Sequence, residues 1–278
     1  MNYKLTKNFF KIPKNLIYLN GNSLGPLPKN TKKFINNFLD NEWGKELVRG
    51  WNKNNWFIYS KVLGNKISKL IGAPKDTVVV GDTLSIQVFQ ALSASLDINK
   101  KRKIILSDKG NFPTDIYMAQ GLINLKDRGY KLKLINSDEI EKNINEKVAV
   151  LLITEVDYRS AKLHDIKKLT KLCHKFGVLI ICDLAHSTGA IPINVIQTKV
   201  DFAIGCTYKY LNGGPGSPAF IYVAKKHINK IKPSLYGWHG HKSPFEFNLK
   251  YEPSPGIDRM RIGTPSILSF KSLESSLK

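Results

Sequence analysis

The chain has 278 residues and is 42% hydrophobic, which is enough to bury a sizeable core in one large domain or two ordinary ones. Its net charge of +21 comes from 43 lysines and arginines against 22 acidic residues, but the lysines are scattered and only Asn99–Lys103 forms a basic run. A nucleic-acid partner requires a clustered basic footprint, so none is predicted.

Apolar runs and cysteines exclude further classes. No apolar run reaches the roughly 20 residues of a membrane span, and the N-terminus lacks the apolar region of a signal peptide. The sequence therefore predicts a cytoplasmic protein without a membrane partner. Its three cysteines lack CxxC spacing, and His239 and His241 lack a third ligand, so neither a disulfide framework nor a metal site is predicted.

The first 70 residues form a segment of their own. It contains a loop rich in glycine and proline, "YLNGNSLGPLP" (Tyr18–Pro28), and then amphipathic helices. Residues 71–255 alternate strand-like and helix-like runs. The strand-like runs are Thr77–Gly81, Arg102–Asp108, Lys131–Asn136, Val148–Val156, Gly177–Asp183, Asp201–Cys206 and Ala219–Ala224, and the helical runs include Leu84–Leu96, Thr114–Lys126 and Asp165–Phe176.

This alternation predicts the architecture of the large domain. Near-continuous apolar strands separated by helices indicate an α/β fold, with a mostly parallel sheet covered on both faces. Ligands bind at the carboxyl ends of strands in such sheets. The last stretch of the chain, within residues 256–278, reads as the start of a helix.

One charged residue stands where the sheet predicts a site. Asp183 ends the apolar run "VLIICD", and Lys209 follows another strand-like run in "TYKYLNGGPG". Pyridoxal phosphate uses such a pair, with a lysine on its aldehyde and an aspartate facing its ring nitrogen. A strand-capping carboxylate and a surface lysine remain the alternative for these two residues taken alone.

Two further stretches suit the same cofactor. Thr83, Leu84 and Ser85 lie between a strand and a helix, where backbone N–H groups and hydroxyls bind phosphate. Ordinary N-capping by Asp82 or Thr83 is compatible with that interpretation. In "GNFPTD", an aromatic side chain follows the second strand; alone, this motif reads as a helix start with proline in its first turn.

Six motifs together resemble the kynureninase family of fold type I pyridoxal-phosphate enzymes. They are "YLNGNSLGPLP", "FPTD", "CDLAHSTGA", "TYKYLNGGPG", "GWHGH" and "RIGTP", and they extend over nearly the whole chain. The resemblance implies the large domain of the fold type I transferases, with residues 1–70 contributing to the small domain and the dimer interface. It also implies a homodimer with shared active sites.

The resemblance implies a role for each matching residue. Lys209 would form the Schiff base, Asp183 would face the ring nitrogen, and Tyr208 would contact the phosphate and transfer protons. The other cofactor residues implied are Leu84, Ser85, Phe112, Asp115, Thr154 and His186, with Trp238 and Thr264 from the second subunit. Trp51 and Gly263 would favour kynurenine over its 3-hydroxy derivative.

The implied reaction is the hydrolytic cleavage of L-kynurenine to anthranilate and L-alanine. The reaction would belong either to tryptophan degradation or to a branch of NAD biosynthesis, and both pathways remain open from the sequence. Lys209 would remove the α-proton, and Tyr208 would act as the acid/base group when water adds to the γ-carbonyl.

The family continues past the last residue with a C-terminal domain, which contains the arginine that binds the substrate α-carboxylate. Arg261 does not occupy that position, so the resemblance implies a C-terminally truncated chain in which residues 256–278 are the start of that domain. The N-terminal segment would then expose the apolar surface that packs against the missing part. Two alternatives remain: an inactive cofactor-binding remnant, and a related class V aminotransferase or lyase. A desulfurase would need a mobile cysteine outside the core, whereas these cysteines lie in or next to the core of strands and helices.

Overall fold

A computed structural model describes residues 3–278 and consists of a central sheet, a small hairpin-like pair of strands and helices around them. The strands are β1 (Phe10–Lys11), β2 (Leu27–Pro28), β3 (Val78–Val80), β4 (Ile104–Asp108), β5 (Lys131–Ile135), β6 (Val148–Thr154), β7 (Leu179–Asp183), β8 (Phe202–Gly205) and β9 (Phe220–Val223). The α-helices are α1 (Tyr3–Lys7), α2 (Thr31–Asn37), α3 (Gly44–Glu46), α4 (Gly50–Lys53), α5 (Tyr59–Leu70), α6 (Leu84–Ile98), α7 (Pro113–Lys126), α8 (Ile140–Asn143), α9 (Ile166–Lys175), α10 (Val195–Thr198), α11 (Lys225–Ile228) and α12 (Ile267–Ser276). A π-helical stretch covers Phe38–Trp43, and 3-10 turns cover Leu47–Arg49, Trp56–Ile58, Ser137–Glu139, Trp238–Gly240, Pro244–Glu246 and Gly256–Met260.

The seven predicted strands form one sheet in the order β3-β9-β8-β7-β6-β4-β5. Neighbouring strands from β8 to β5 run parallel, whereas β9 is antiparallel to both β8 and β3. The segment between β8 and β9 contains no helix, and a parallel return would need such a crossover. The prediction of a mostly parallel α/β sheet is confirmed.

The sheet is buried on both faces because helices cover both. Every residue of β6 and β7 is buried. On β6, Leu151 and Ile153 join the core cluster that includes α5, α9 and α12, while Val150 and Leu152 join the cluster that includes α6 and α7. This alternation explains why the sequence reads as a continuous apolar run.

The beginning and the end of the chain pack together. Helix α12 lies against α2 and α5, where Thr31 and Ser275 share a hydrogen bond of 2.8 Å between their hydroxyl oxygens. Lys271 Nζ lies 2.8 Å from a Glu42 carboxylate oxygen. These polar contacts join elements that are more than 220 residues apart in sequence, as counted from 42 to 271.

The carboxyl ends of the parallel strands meet at one edge of the sheet. Thr154 at the end of β6 pairs with Asp183 at the end of β7, and the loop that follows β8 contains Lys209. This edge is where the sequence predicts a ligand site. No helix within residues 3–278 is long and apolar enough to cross a membrane. Cys173, Cys182 and Cys206 are buried free thiols.

Candidate functional site

Lys209 lies at the centre of the candidate site. Its side chain is buried, at 7% relative exposure, and its Nζ lies 2.7 Å from Nε2 of His186. Within the described residues Lys209 forms no direct ion pair with a carboxylate. The pairing with Asp183 that the sequence suggested is therefore an interaction at longer range, and the direct partner of the ammonium group is a histidine.

His186 is held in its neutral form. It lies in the turn after β7, and burial, together with the positive charge of Lys209, lowers its pKa to about 4. A neutral imidazole offers one nitrogen as an acceptor, so Nε2 accepts a hydrogen bond from the Lys209 ammonium. Its Nδ1 is buried and has no hydrogen-bond partner among the described residues.

Asp183 is a buried carboxylate at the end of β7. It accepts a hydrogen bond of 2.8 Å from the backbone N–H of Ala185, and its exposure is 2%. Burial raises its pKa to about 6, although the Ala185 N–H and the Lys209 charge act in the opposite direction. Burying a carboxylate without a direct cationic partner is costly.

A second buried carboxyl group increases that cost. Asp115, in the first turn of α7, is 1% exposed, and burial together with the charge of Asp183 raises its pKa well above the usual range. Its Oδ2 has no hydrogen-bond partner in the part of the chain described. Two adjacent buried carboxyl groups near a lysine fit a cationic ring that neutralises them, so these residues suit a pyridinium group.

An aromatic side chain covers the lysine from another side. The Lys209 ammonium lies 5.7 Å from the ring centroid of Phe112, which is 38% exposed. The backbone N–H of Phe112 donates a hydrogen bond of 2.8 Å to Oδ1 of Asn111, and the hydroxyl of Thr154 donates a hydrogen bond to the same oxygen. Asn111 thus ties the loop after β4 to the end of β6 and orients Phe112.

Tyr208 precedes the lysine and its ring also lies near it. The Lys209 ammonium is 5.8 Å from the Tyr208 centroid. Burial and the neighbouring Cys206 thiol raise the pKa of Tyr208 to about 12, so its phenol is protonated at neutral pH. In that form it donates a hydrogen bond rather than accepting a proton.

The start of α6 offers free backbone donors. Thr83 is the N-cap, and its hydroxyl accepts a hydrogen bond from the N–H of Ile86 at 3.4 Å. The N–H groups of Leu84 and Ser85 precede the first helical hydrogen bond and have no intrahelical acceptor. This 15-residue helix therefore presents donors and the positive end of its dipole to an anion such as a phosphate.

The loop of the "GNSLG" motif supports the backbone of the lysine. The Gly25 N–H donates a hydrogen bond of 2.8 Å to the carbonyl oxygen of Tyr208. A Cβ at Gly25 would lie 2.1 Å from the Lys209 carbonyl oxygen and 2.3 Å from Asn212 Oδ1. Only glycine permits this approach, so the loop at residues 18–28 fixes the segment that contains Lys209.

Four predicted residues lie in a second cluster or on the surface. Trp51 and Trp238 pack around His239, with ring centroids 5.8 Å and 4.8 Å from it, while Gly263 and Thr264 are exposed. Within residues 3–278 none of these four forms a hydrogen bond or ring contact with Lys209, His186 or Asp183.

The guanidinium of Arg261 is already engaged by its own chain. It donates to the Phe57 carbonyl, to Asp258 at 3.2 Å and to His239 Nδ1 at 2.6 Å. Arg261 is 7% exposed, and burial lowers its pKa. It therefore does not present a free guanidinium to a substrate carboxylate.

Sequence reasoning missed two residues of the site. Asn111 accepts hydrogen bonds from Phe112 and Thr154, and Tyr158 packs against two site residues. The Tyr158 ring is 5.2 Å from Phe112 in an edge-on arrangement and 6.3 Å from His186 in a stacked one. The polar residue beside "FPTD" was a usable signal for Asn111, whereas nothing in the loop after β6 distinguished Tyr158.

The chain is similar in sequence to a known protein family and to curated relatives. The aminotransferase class-V family matches residues 26–278. A kynureninase of Burkholderia mallei is 43% identical over 273 residues, which are 96% of this chain and 66% of that protein. The chain thus spans just under two thirds of the length of this relative.

Solved structures share the fold at low identity. The cysteine desulfurase of Thermococcus onnurineus NA1 has a TM-score of 0.82 at 18% identity, over 99% of this chain and 70% of that one. A C-DES variant with glycine covalently linked to its PLP cofactor has a TM-score of 0.79 at 15% identity, over 95% of this chain and 71% of that one. These likenesses confirm the predicted fold class.

Proposed function

The chain belongs to the aminotransferase class-V family, and we propose that it is the cofactor-binding part of a kynureninase that hydrolyses L-kynurenine to anthranilate and L-alanine. The similarity to the Burkholderia mallei enzyme supports this activity, and tryptophan degradation is the role that follows from it. The observation that carries the proposal is the buried Lys209 ammonium, hydrogen-bonded to a neutral His186 beside two carboxyl groups of raised pKa.

The residues of the site fit pyridoxal phosphate. Asp183 and Asp115 would hold the ring nitrogen, Phe112 would cover the ring face, and Thr154 would lie near the ring edge. Leu84 and Ser85 would bind the phosphate through the donors at the start of α6. When bound, the cofactor supplies an electron sink for a carbanion at the substrate α-carbon.

Lys209 would bind the cofactor aldehyde and move the proton at the substrate α-carbon. His186 supports that proton transfer because its neutral Nε2 accepts a hydrogen bond from the lysine without adding a second positive charge. Burial of both side chains excludes water from the ammonium group.

Tyr208 would act at the γ-carbonyl of the substrate. With a pKa of about 12 it keeps its proton at neutral pH and donates a hydrogen bond to the oxygen that becomes negative when water adds. It would serve as the acid first, and its role as a base follows only after it has given up that proton.

The activity is tested by incubating the 278-residue chain with pyridoxal phosphate and L-kynurenine and following anthranilate fluorescence. Lys209→Ala is the control. Anthranilate formation that this variant abolishes supports the proposal. If borohydride fixes the cofactor to Lys209 but no anthranilate forms, the cofactor site is present and this chain by itself is not a kynureninase.

A homodimer with shared active sites is the second part of the proposal. Trp238 and Thr264 have no contact with the lysine of their own chain, and nearby Phe245 and Phe247 are 60% and 73% exposed. Both observations suit a role for Trp238 and Thr264 in a partner's site. Mixing Lys209→Ala with Trp238→Ala chains should restore activity through hybrid dimers, whereas independent sites would stay inactive.

Kynurenine is proposed as the preferred substrate over 3-hydroxykynurenine, with Trp51 and Gly263 as the residues that set the preference. Trp51 packs edge-on against Trp56 at 5.7 Å, so its position is fixed. Comparable kcat/KM values for the two substrates would contradict this proposal.

We also propose that residues 1–70 and 256–278 belong to one structural unit beside the large domain at residues 71–255. The contacts of α12 with α2 and α5 support this grouping. Substituting Lys271 by methionine, which removes its ion pair with Glu42, should lower the stability of both terminal segments together in hydrogen exchange.

A further inference from the structure

A basic groove lies along α9, apart from the candidate active site. Its cavity has a volume of about 550 Å³, and its walls come from α9 and the residues at the end of α10. Lys167, Lys168, Lys171, Lys199, His174 and Thr170 line it. A cavity of this size lies within the range of small-molecule sites.

The positive charge of the groove is largely uncompensated. Lys168 pairs with Glu141 at 2.7 Å, whereas Lys167, Lys171 and Lys199 form no ion pair within the described part of the chain. The one acidic lining residue, Asp165, is the N-cap of α9 and accepts the N–H of Lys168 at 2.9 Å. Three of the lining lysines in the described residues therefore have no carboxylate within ion-pair distance.

Asp201, the acidic residue behind the groove, has its own hydrogen-bond and ion-pair partners and does not neutralise the lysines of the groove. Asp201 is fully buried and accepts hydrogen bonds from His174 at 2.9 Å, from His227 at 2.8 Å and from the backbone N–H of Ile180 at 3.0 Å. Lys226 pairs with it at 2.7 Å. These partners hold its pKa well below the usual range and absorb its charge. They also fix His174 at the groove wall.

A buried hydroxyl without a partner supplies an independent sign of a ligand. Thr170 lies on α9, lines the groove and is 1% exposed, and its Oγ1 has no hydrogen-bond partner within residues 3–278. A threonine inside a helix ordinarily bonds the carbonyl four residues earlier. An unsatisfied buried hydroxyl is costly unless a ligand or water completes it.

We propose that this groove binds a small molecule that carries adjacent phosphate groups. Three lysines without an ion-pair partner line the groove and supply positive charge for several anionic oxygens, and the buried Thr170 hydroxyl beside it is an unpaired donor. The volume of the groove suits a compact ligand rather than a long polymer. This site is independent of the proposed catalytic function, because it shares no residue with it.

The test measures binding of inorganic tripolyphosphate by calorimetry at low ionic strength, using the full chain saturated with pyridoxal phosphate. Saturation fills the phosphate position at α6, so that heat from the active site does not contribute. Replacing Lys167, Lys171 and Lys199 by glutamine should weaken binding by at least about tenfold. The matched control replaces the exposed Lys32, Lys33 and Lys69 by glutamine, which removes the same charge elsewhere and should cost less than about twofold.

Thr170→Val keeps the side-chain shape and removes the hydroxyl. It should weaken tripolyphosphate binding by about threefold to tenfold without lowering stability, because that hydroxyl has no partner within the fold. ATP is the second probe: tighter binding than tripolyphosphate assigns the groove to a nucleotide, and equal binding assigns it to the phosphate chain alone. Absence of heat with both probes, or equal losses in the two triple variants, would overturn the proposal.

Discussion

The Lys209 ammonium donates to Nε2 of His186 over 2.7 Å, and this bond ties the charge state of the histidine to that of the lysine. A protonated His186 has no acceptor and would face a like charge. The bond therefore exists only while the imidazole is neutral, which is the form that burial and the lysine favour.

The first prediction concerns stability and pH in the cofactor-free protein. The pKa of His186 falls from an ordinary 6.5 to about 4 on folding, so its contribution is complete above pH 6.5 and is lost as the pH falls toward 4. Urea unfolding should show a loss of about 2 kcal/mol from this group between pH 7 and pH 5. His186→Gln should remove that part of the pH dependence, whereas His241→Gln should leave it in place.

A second prediction concerns the two buried carboxyl groups. The pKa of Asp183 rises from 3.8 to about 6, so its ionisation destabilises the cofactor-free fold progressively between those pH values. Asp183→Asn keeps the oxygen that accepts the Ala185 N–H and removes the charge. At pH 7 it should stabilise the cofactor-free protein by about 2 kcal/mol and abolish the rise in Tm that pyridoxal phosphate causes.

The control for that prediction is Asp97→Asn, which removes a carboxylate paired with Lys126 at 3.0 Å near the surface. It should lower stability by less than about 1 kcal/mol and leave the cofactor effect unchanged. A lower Tm for cofactor-free Asp183→Asn at pH 7 would contradict the assignment of Asp183 as an uncompensated buried charge.

The strands and the long helices could be predicted because each has a strong periodic signal. The apolar run before Asp183 is buried on both faces, so each of its residues is apolar and the run is recognisable as a buried strand from the sequence. Helices α6, α7 and α9 begin and end within two residues of their predicted bounds. The antiparallel direction of β9 is not encoded in its own residues, because it follows from the missing crossover helix after β8.

Sequence reasoning could propose a site residue only where the chemical character of that single residue is unusual for its place in the chain. Asp183 stands out because a charge at the end of a core strand is expensive, and Lys209 stands out as the cation in the loop after β8 that could accompany it. Tyr158 has no such signal, since its contacts with Phe112 and His186 come from three separate loops that only the folded sheet brings together. The direct bond between Lys209 and His186 likewise depends on side-chain geometry that spacing does not specify.

A third prediction tests the loop that supports the lysine. Gly25→Ala places a methyl group 2.1 Å from the Lys209 carbonyl oxygen, so the loop or the lysine segment must shift. The cost should be about 2 kcal/mol in stability, and activity should fall by about a hundredfold because Lys209 moves relative to its substrate. The control is Gly121→Ala in α7, where nothing lies within 4 Å. Gly121→Ala should raise the free energy of unfolding by about 0.5–1 kcal/mol, because alanine favours the helix more than glycine does. Equal effects of the two changes would contradict the supporting role of Gly25.

The last prediction concerns Tyr158, whose ring lies against both Phe112 and His186. Tyr158→Phe keeps both ring contacts, whereas Tyr158→Ala removes them and admits water to the imidazole. Each aromatic contact is worth about 0.5–1.5 kcal/mol, so Tyr158→Ala should lower kcat/KM by about tenfold and Tyr158→Phe should lower it little. NMR titration supplies a readout that a purely structural loss would not move: in Tyr158→Ala the pKa of His186 should rise from about 4 toward its ordinary value, because less of the ring is desolvated. An unchanged His186 titration together with reduced activity would mean that Tyr158 does not position the histidine.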